Sequence, residues 1–108
     1  MALPPVAYRT TGGYDADAEV CIGPDGSFTV EGGGYRTRGR RAGQLDGRQR
    51  ARLAALAARV PAREWPVPDG AEGFVHELQI GDRRARWWGP PADVDPDLAA
   101  FVAALAAL

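Results

Sequence analysis

Apolar and polar residues alternate in three stretches of the first half of the chain. Val6–Thr11 predicts a strand, and Glu19–Gly23 and Ser27–Glu31 predict two more. Pro24-Asp25-Gly26 lies between the last two and supplies turn residues, so these strands are expected to form a hairpin. The following segment Tyr35–Gly43 is compatible with either an irregular edge strand or an arginine-rich loop.

The spacing changes to a helical period after this segment. Asp46 is a good N-cap, and Gln49 three residues later completes a capping-box pattern. Leu53, Leu56 and Val60 fall on one stripe, and Pro61 closes the segment. We therefore predict an amphipathic helix from Asp46 to the residue before Pro61.

The second half predicts a hairpin and a final helix. Phe74–Ile80 alternates, Gly81-Asp82 can turn the chain, and Arg83–Trp88 follows as the return strand. Asp95 then caps a helix that begins at Pro96. The apolar face of this helix is predicted to consist of Leu98, Phe101, Val102, Leu105 and Leu108.

The order of elements is strand, hairpin, helix, hairpin, helix. Because the turns are too short for parallel crossovers, we predict an α+β fold. It would have a mostly antiparallel sheet of four to five strands with two helices packed on one face, and the other face open to water. The 108 residues suffice for one domain, so residues 1–108 are expected to form a single one.

The chain has few of the residues that form disulfides, zinc sites and catalytic pairs. One cysteine and one histidine exclude an intrachain disulfide and a four-ligand structural zinc site, and we expect no metal or cofactor. Ser27 is the only serine and lies beside a turn, and neither Cys21 nor His76 has the neighbours of a catalytic pair. His76 fits a hydrogen-bonded core or edge histidine better than a general base. We therefore expect no catalytic residues and a protein that is not an enzyme.

No stretch near the N-terminus resembles a signal peptide, and no apolar run is long enough to span a bilayer. The expectation is a cytoplasmic protein without a membrane partner.

Charge is distributed unevenly along the chain. All thirteen basic residues are arginines, nine of them between positions 36 and 63, where Asp46 is the one acidic residue. This window has a charge of +8 and the remainder −9, which gives the net −1. Tyr35 with Arg36, Arg38, Arg40 and Arg41 could hold phosphates and bases or an acidic protein. The sequence pI of about 5.7 disfavours nucleic acid. The alternative interpretation is compositional enrichment of arginine on a solvated loop.

The segment Tyr8-Arg9-Thr10-Thr11-Gly12-Gly13-Tyr14, the turn at Asp25-Gly26 and the helix after Leu45-Asp46 together resemble emfourin-like proteins, the protealysin-inhibitor family. Phe74–Ile80 and the closing helix with Phe101 and Leu105 continue the similarity. The resemblance implies a small bacterial protein that inhibits thermolysin-like zinc metalloproteases, with the zinc held by the protease. The Gly- and Arg-rich insert from Gly32 to Gly43 departs from that pattern.

The proline-rich loop Pro61–Gly70 is the strongest candidate for contact with a protease. An inhibitor needs a loop that is ordered before docking and a bulky apolar anchor. Trp65 and Val67 lie between prolines and meet both conditions, with Tyr14 as a further contact. Trp65 could equally pack back onto the domain's own core. A third interpretation is a subunit that associates through the open sheet face, where at least one of Trp87 and Trp88 is expected because they point to opposite faces of their strand. The oligomeric state stays unknown.

Overall fold

The computed structural model describes residues 3–11, 18–31, 40–67 and 75–108, in which six strands form one antiparallel sheet. The strands are β1 (Val6–Thr11), β2 (Ala18–Ile22), β3 (Ser27–Glu31), β4 (Arg40–Gln44), β5 (Val75–Ile80) and β6 (Arg83–Trp88), in the spatial order β4-β3-β2-β1-β5-β6. The helices are α1 (Gly47–Ala57) and α2 (Pro96–Ala106), and a short 3-10 turn, Pro91–Asp93, precedes α2.

The predicted α+β class is confirmed, with one more strand than the four to five expected. The additional strand is β4, so the last part of Tyr35–Gly43 is an edge strand and not a loop. The predicted hairpins are both present, and β5 begins at Val75. Phe74, the predicted first residue of that strand, lies outside the described residues.

One face of the sheet carries the core. Tyr8 of β1 lies opposite Val20 of β2 and Leu78 of β5, and all three are buried on the same face. Both helices cover this face, since their buried side chains belong to the same cluster as those of the strands. The helical contributions are Leu53, Ala54 and Ala57 from α1 and Leu98, Phe101 and Leu105 from α2.

Local hydrogen bonds determine where α1 begins. The Asp46 carboxylate accepts from the Gln49 amide at 2.7 Å, and the Gln49 side chain accepts from the Asp46 amide at 2.9 Å. This is the predicted capping box, and it satisfies backbone donors that the first turn leaves without a helical partner.

Arg83 of β6 caps the C-terminal end of α1. The Arg83 guanidinium donates to the carbonyls of Ala57 at 2.9 Å and Val60 at 3.2 Å. A cation at this position also complements the negative end of the helix dipole. Within the described segments, neither helix has the length and apolar character needed to cross a lipid bilayer.

The second face of the sheet is polar, as predicted. Arg9 and Glu19 are 3.4 Å apart across β1 and β2, and Glu77 lies 3.2 Å from Arg84 and 3.7 Å from Arg86. Because these side chains are substantially exposed, each pair contributes at most about 1 kcal/mol. Their main effect is to keep this face hydrated.

Edge strand β4 is held against β3 by a close aromatic contact. Gly43 pairs with Phe28, and the Phe28 ring lies over its α-carbon. A β-carbon at Gly43 would meet Phe28 Cζ at 2.6 Å, which is well inside van der Waals contact. Glycine at this position therefore allows the Phe28 ring to pack against the backbone of β4.

We predict that Gly43→Ala lowers the free energy of unfolding by about 1 to 3 kcal/mol, because the ring or the strand must move to accommodate the methyl group. Gly47→Ala is the matched control, since a β-carbon there meets nothing within 4 Å and the site is the first residue of α1. It should leave stability unchanged or raise it by up to about 1 kcal/mol. Urea unfolding of both variants makes the comparison, and equal stabilities would contradict the proposed packing.

Candidate partner-binding site

The loop that follows α1 is attached to the outer edge of the sheet. The Trp65 amide donates to the Arg86 carbonyl at 2.8 Å, and the Arg86 amide donates to the Arg63 carbonyl at 3.1 Å. Glu64 and Arg86 thereby form a parallel bridge. The backbone of Arg63–Trp65 covers part of the β6 edge, which would otherwise present unpaired groups to solvent.

Trp65 anchors this segment to the domain. Its side chain is half-buried and packs against the core, and the Arg63 guanidinium carbon lies 5.2 Å from the centre of the ring. Such a cation–π contact contributes roughly 0.5 to 1 kcal/mol at an exposed site. Of the two placements that the sequence left open for Trp65, the structure shows the one in which the ring packs on the domain itself.

Val67 lies two residues further along and is more exposed than Trp65. It is 38% exposed, more than any other large hydrophobic side chain in the part of the chain that the structure describes. Pro66 precedes it and restricts the backbone. The loop therefore carries a partly exposed apolar side chain two residues after the anchored tryptophan.

The other predicted contact residues lie elsewhere or outside the described residues. Tyr14, Arg36 and Arg38 fall in the segments that are not described, and Arg40 begins β4. Arg41 is exposed on β4, at the sheet edge opposite β6. Five strand spacings separate β4 from β6, about 24 Å. Arg41 and Val67 therefore do not form one contact patch.

The first helix carries a second group of arginines. Arg48 and Arg52 of α1, and Arg59 just after its end, are exposed, and among the described residues none of them forms an ion pair with a carboxylate. The ion pairs Arg9–Glu19, Glu77–Arg84 and Glu77–Arg86 lie on the polar sheet face. The positive charge of this helix is thus available to a partner.

A stack of three rings lies under the helices at one end of the sheet. The His76 and Trp87 rings are 5.0 Å apart and nearly parallel, and Tyr8 stacks at 6.0 Å from His76. The Tyr8 hydroxyl is hydrogen-bonded to Nδ1 of His76 at 2.7 Å. The interpretation of His76 as a hydrogen-bonded histidine at the core is therefore confirmed.

Burial alters the acid–base properties of these groups. It raises the pKa of Tyr8 to about 12 and lowers the pKa of His76, because both charged forms lose hydration. Trp87 is fully buried, and its Nε1 has no hydrogen-bond partner in the described part of the chain. The stack is a packing feature with neutral rings near pH 7.

Cys21 lies on the polar sheet face and donates to a Glu19 carboxylate oxygen at 3.2 Å. Partial burial, followed by the hydrogen bond and the negative charge of Glu19, raises the pKa of the thiol. A thiol in this environment is a weak nucleophile near neutral pH. Across residues 3–11, 18–31, 40–67 and 75–108, no group of three or more His, Cys, Asp or Glu side chains is arranged to hold a metal ion.

No family model matches the sequence, and neither a curated protein nor a solved structure matches it. The similarity to emfourin-like proteins remains a prediction from the residues quoted above.

Sequence reasoning missed two residues that organise the loop. Arg86 supplies both backbone hydrogen bonds to the segment, and Arg63 places its guanidinium over Trp65. Backbone pairing between distant segments leaves no side-chain pattern from which Arg86 could be identified. The proximity of Arg63 to Trp65 in the sequence was the one available signal.

We predict that the protein loses stability as the pH falls from 7 to 5.5. The pKa of His76 is lower in the folded state than in the unfolded chain, so below the unfolded value near 6.5 protons bind preferentially to the unfolded state. His76 is the only histidine, and its replacement by glutamine removes a titrating group from this interval. Urea unfolding at both pH values should show a smaller pH-dependent difference for His76→Gln than for wild type. Identical differences would contradict the assignment.

Proposed function

We propose that this chain is a non-enzymatic, cytoplasmic protein that binds and inhibits a thermolysin-like zinc metalloprotease. The segment Arg63–Val67 is the contact that enters the protease cleft. The observation that carries this proposal is the exposed Val67 side chain on a backbone already hydrogen-bonded to β6. The sequence resemblance to emfourin-like proteins supports the choice of target.

Prior ordering of the loop favours tight binding. Each mobile side chain or backbone segment that must be immobilised on association reduces the affinity, typically by about 0.5 to 1.5 kcal/mol per side chain. In this protein the cross-strand hydrogen bonds and the packing of Trp65 have already restricted the segment. Val67 can then occupy an apolar pocket without a large additional loss of entropy.

The arginines act over a longer range in this proposal. Arg41 and the exposed arginines of α1 lie outside the Arg63–Val67 segment, so they increase the rate of association with an acidic protease surface. Tyr14, Arg36, Arg38 and Arg40 remain proposed contributors on sequence grounds.

A second candidate function is an arginine-rich binding module. The exposed arginines on α1 that have no carboxylate partner among the described residues favour it. The net charge of −1 favours an acidic protein over nucleic acid as the ligand of this module.

We expect Val67→Asp to weaken inhibition of a thermolysin-like protease by about tenfold or more, because a carboxylate would have to lose its hydration in an apolar pocket. Ala92→Asp adds the same charge at an exposed position of the 3-10 turn and should inhibit like wild type. Titration against the protease, followed by turnover of a peptide substrate, compares the three proteins.

Val67 is a better test position than Trp65. Trp65→Ala would remove core packing together with any protease contact, whereas Val67 is exposed and its replacement should leave the thermal unfolding midpoint nearly unchanged. Inhibition by Val67→Asp within twofold of wild type would refute the assignment of this loop. Absence of inhibition by wild type would refute the protease proposal for the enzyme tested.

A further inference from the structure

A groove with a volume of about 330 Å³ lies between α1 and α2. Its lining includes Arg52, Leu53 and Leu56 from α1. On the α2 side, Ala100, Ala103 and Ala107 are exposed and recur at helical spacing. Their short side chains allow the backbone of another helix to approach closely, and the leucines supply apolar surface for its side chains.

The two walls of the groove differ in charge. Helix α1 contains Arg48, Arg50 and Arg52 and no acidic residue, whereas α2 contains a single charged residue, Asp97, in its first turn. Arg52 lines the groove, and Arg48 lies one helical turn before it. A ligand in this groove would therefore meet positive charge along one flank and neutral alanines along the other.

The charge difference between the two walls favours one kind of ligand for the groove. A second copy using the same patch in a two-fold dimer would bring two arginine-bearing helices into one interface, which like-charge repulsion disfavours. Nucleic acid would use the arginines but would leave the apolar floor without a complementary surface. An amphipathic helix with carboxylates on one flank complements both the floor and the charged wall.

We propose that the groove between α1 and α2 binds an acidic amphipathic helix of a partner protein. Apolar side chains of that helix occupy the space over Leu53 and Leu56, and its carboxylates face Arg48 and Arg52. The proposal rests on the second candidate function for the acidic character of the partner. It shares no residue with Arg63–Val67, so the alanines of the groove can be changed without altering the proposed protease contact.

The probe is a designed, fluorescently labelled helical peptide with leucines on one face and glutamates along one flank, compared with a twin that has lysines in place of the glutamates. Fluorescence anisotropy should show that the glutamate peptide binds wild-type protein at least about tenfold more tightly than the lysine twin. Arg52→Glu should reduce binding of the glutamate peptide by about tenfold. Ala103→Gln, which places a larger polar side chain in the groove, should also weaken it.

Ala55→Gln is the matched control for Ala103→Gln, because Ala55 is exposed on α1 and does not line the groove. It should bind the peptide like wild type, and both Ala55→Gln and Ala103→Gln should retain protease inhibition if the wild type inhibits. Weaker binding by Arg52→Glu together with unchanged binding by Ala103→Gln would overturn the groove but leave the arginine-binding function standing. If neither peptide binds, both the groove proposal and the arginine-binding function are wrong. A dimer in light scattering that dissociates on Ala103→Gln would replace the partner helix with a second copy.

Discussion

The structure depends on covering one face of a six-stranded sheet with only two short helices. Trp87, Leu98 and Phe101 are completely shielded from solvent where β6 and α2 meet the core, and Leu78 is almost as deeply buried. Burial of each large apolar side chain contributes about 1.5 to 3 kcal/mol. Because this core covers one face only, the opposite face must be compatible with water, and its ion pairs between neighbouring strands satisfy that requirement.

The same constraint explains how the two sheet edges differ. At β4 the edge strand carries exposed arginine, and the Phe28 ring packs over Gly43 to hold the strand in place. At β6 the loop after α1 pairs with Arg86, and Trp65 extends the apolar packing beyond the last strand. An edge that is partly covered by a short, anchored loop provides a rigid base for the exposed Val67, and this property connects the fold to the proposed inhibition.

Signals that act over a few residues were sufficient to predict most of the elements. The capping box at Asp46 and Gln49 and the turn at Gly81 operate within one turn of chain, and the structure contains both. Gly81 has φ of +59°, a conformation that glycine adopts without strain. Such features depend little on the rest of the fold.

Features that depend on distant contacts were not predictable in the same way. The pattern of Arg40–Gln44 lacks apolar alternation, and its pairing as a strand depends on how Gly43 accommodates Phe28. The position of Trp65 remained open because two main-chain hydrogen bonds with Arg86 determine it, and main-chain bonds leave no sequence pattern. The groove likewise depends on how closely α1 and α2 approach.

The central claim is that the Arg63–Val67 segment is ordered on the domain before any partner binds. Amide hydrogen exchange of the free protein, followed residue by residue by NMR, tests it most directly. The Trp65 amide donates to the Arg86 carbonyl, so it should exchange far more slowly than an unstructured amide and should be protected together with the Arg86 amide. Exchange of Trp65 at the rate of an unstructured peptide, while the amides that pair β1 with β5 remain protected, would show that the loop is not ordered before binding.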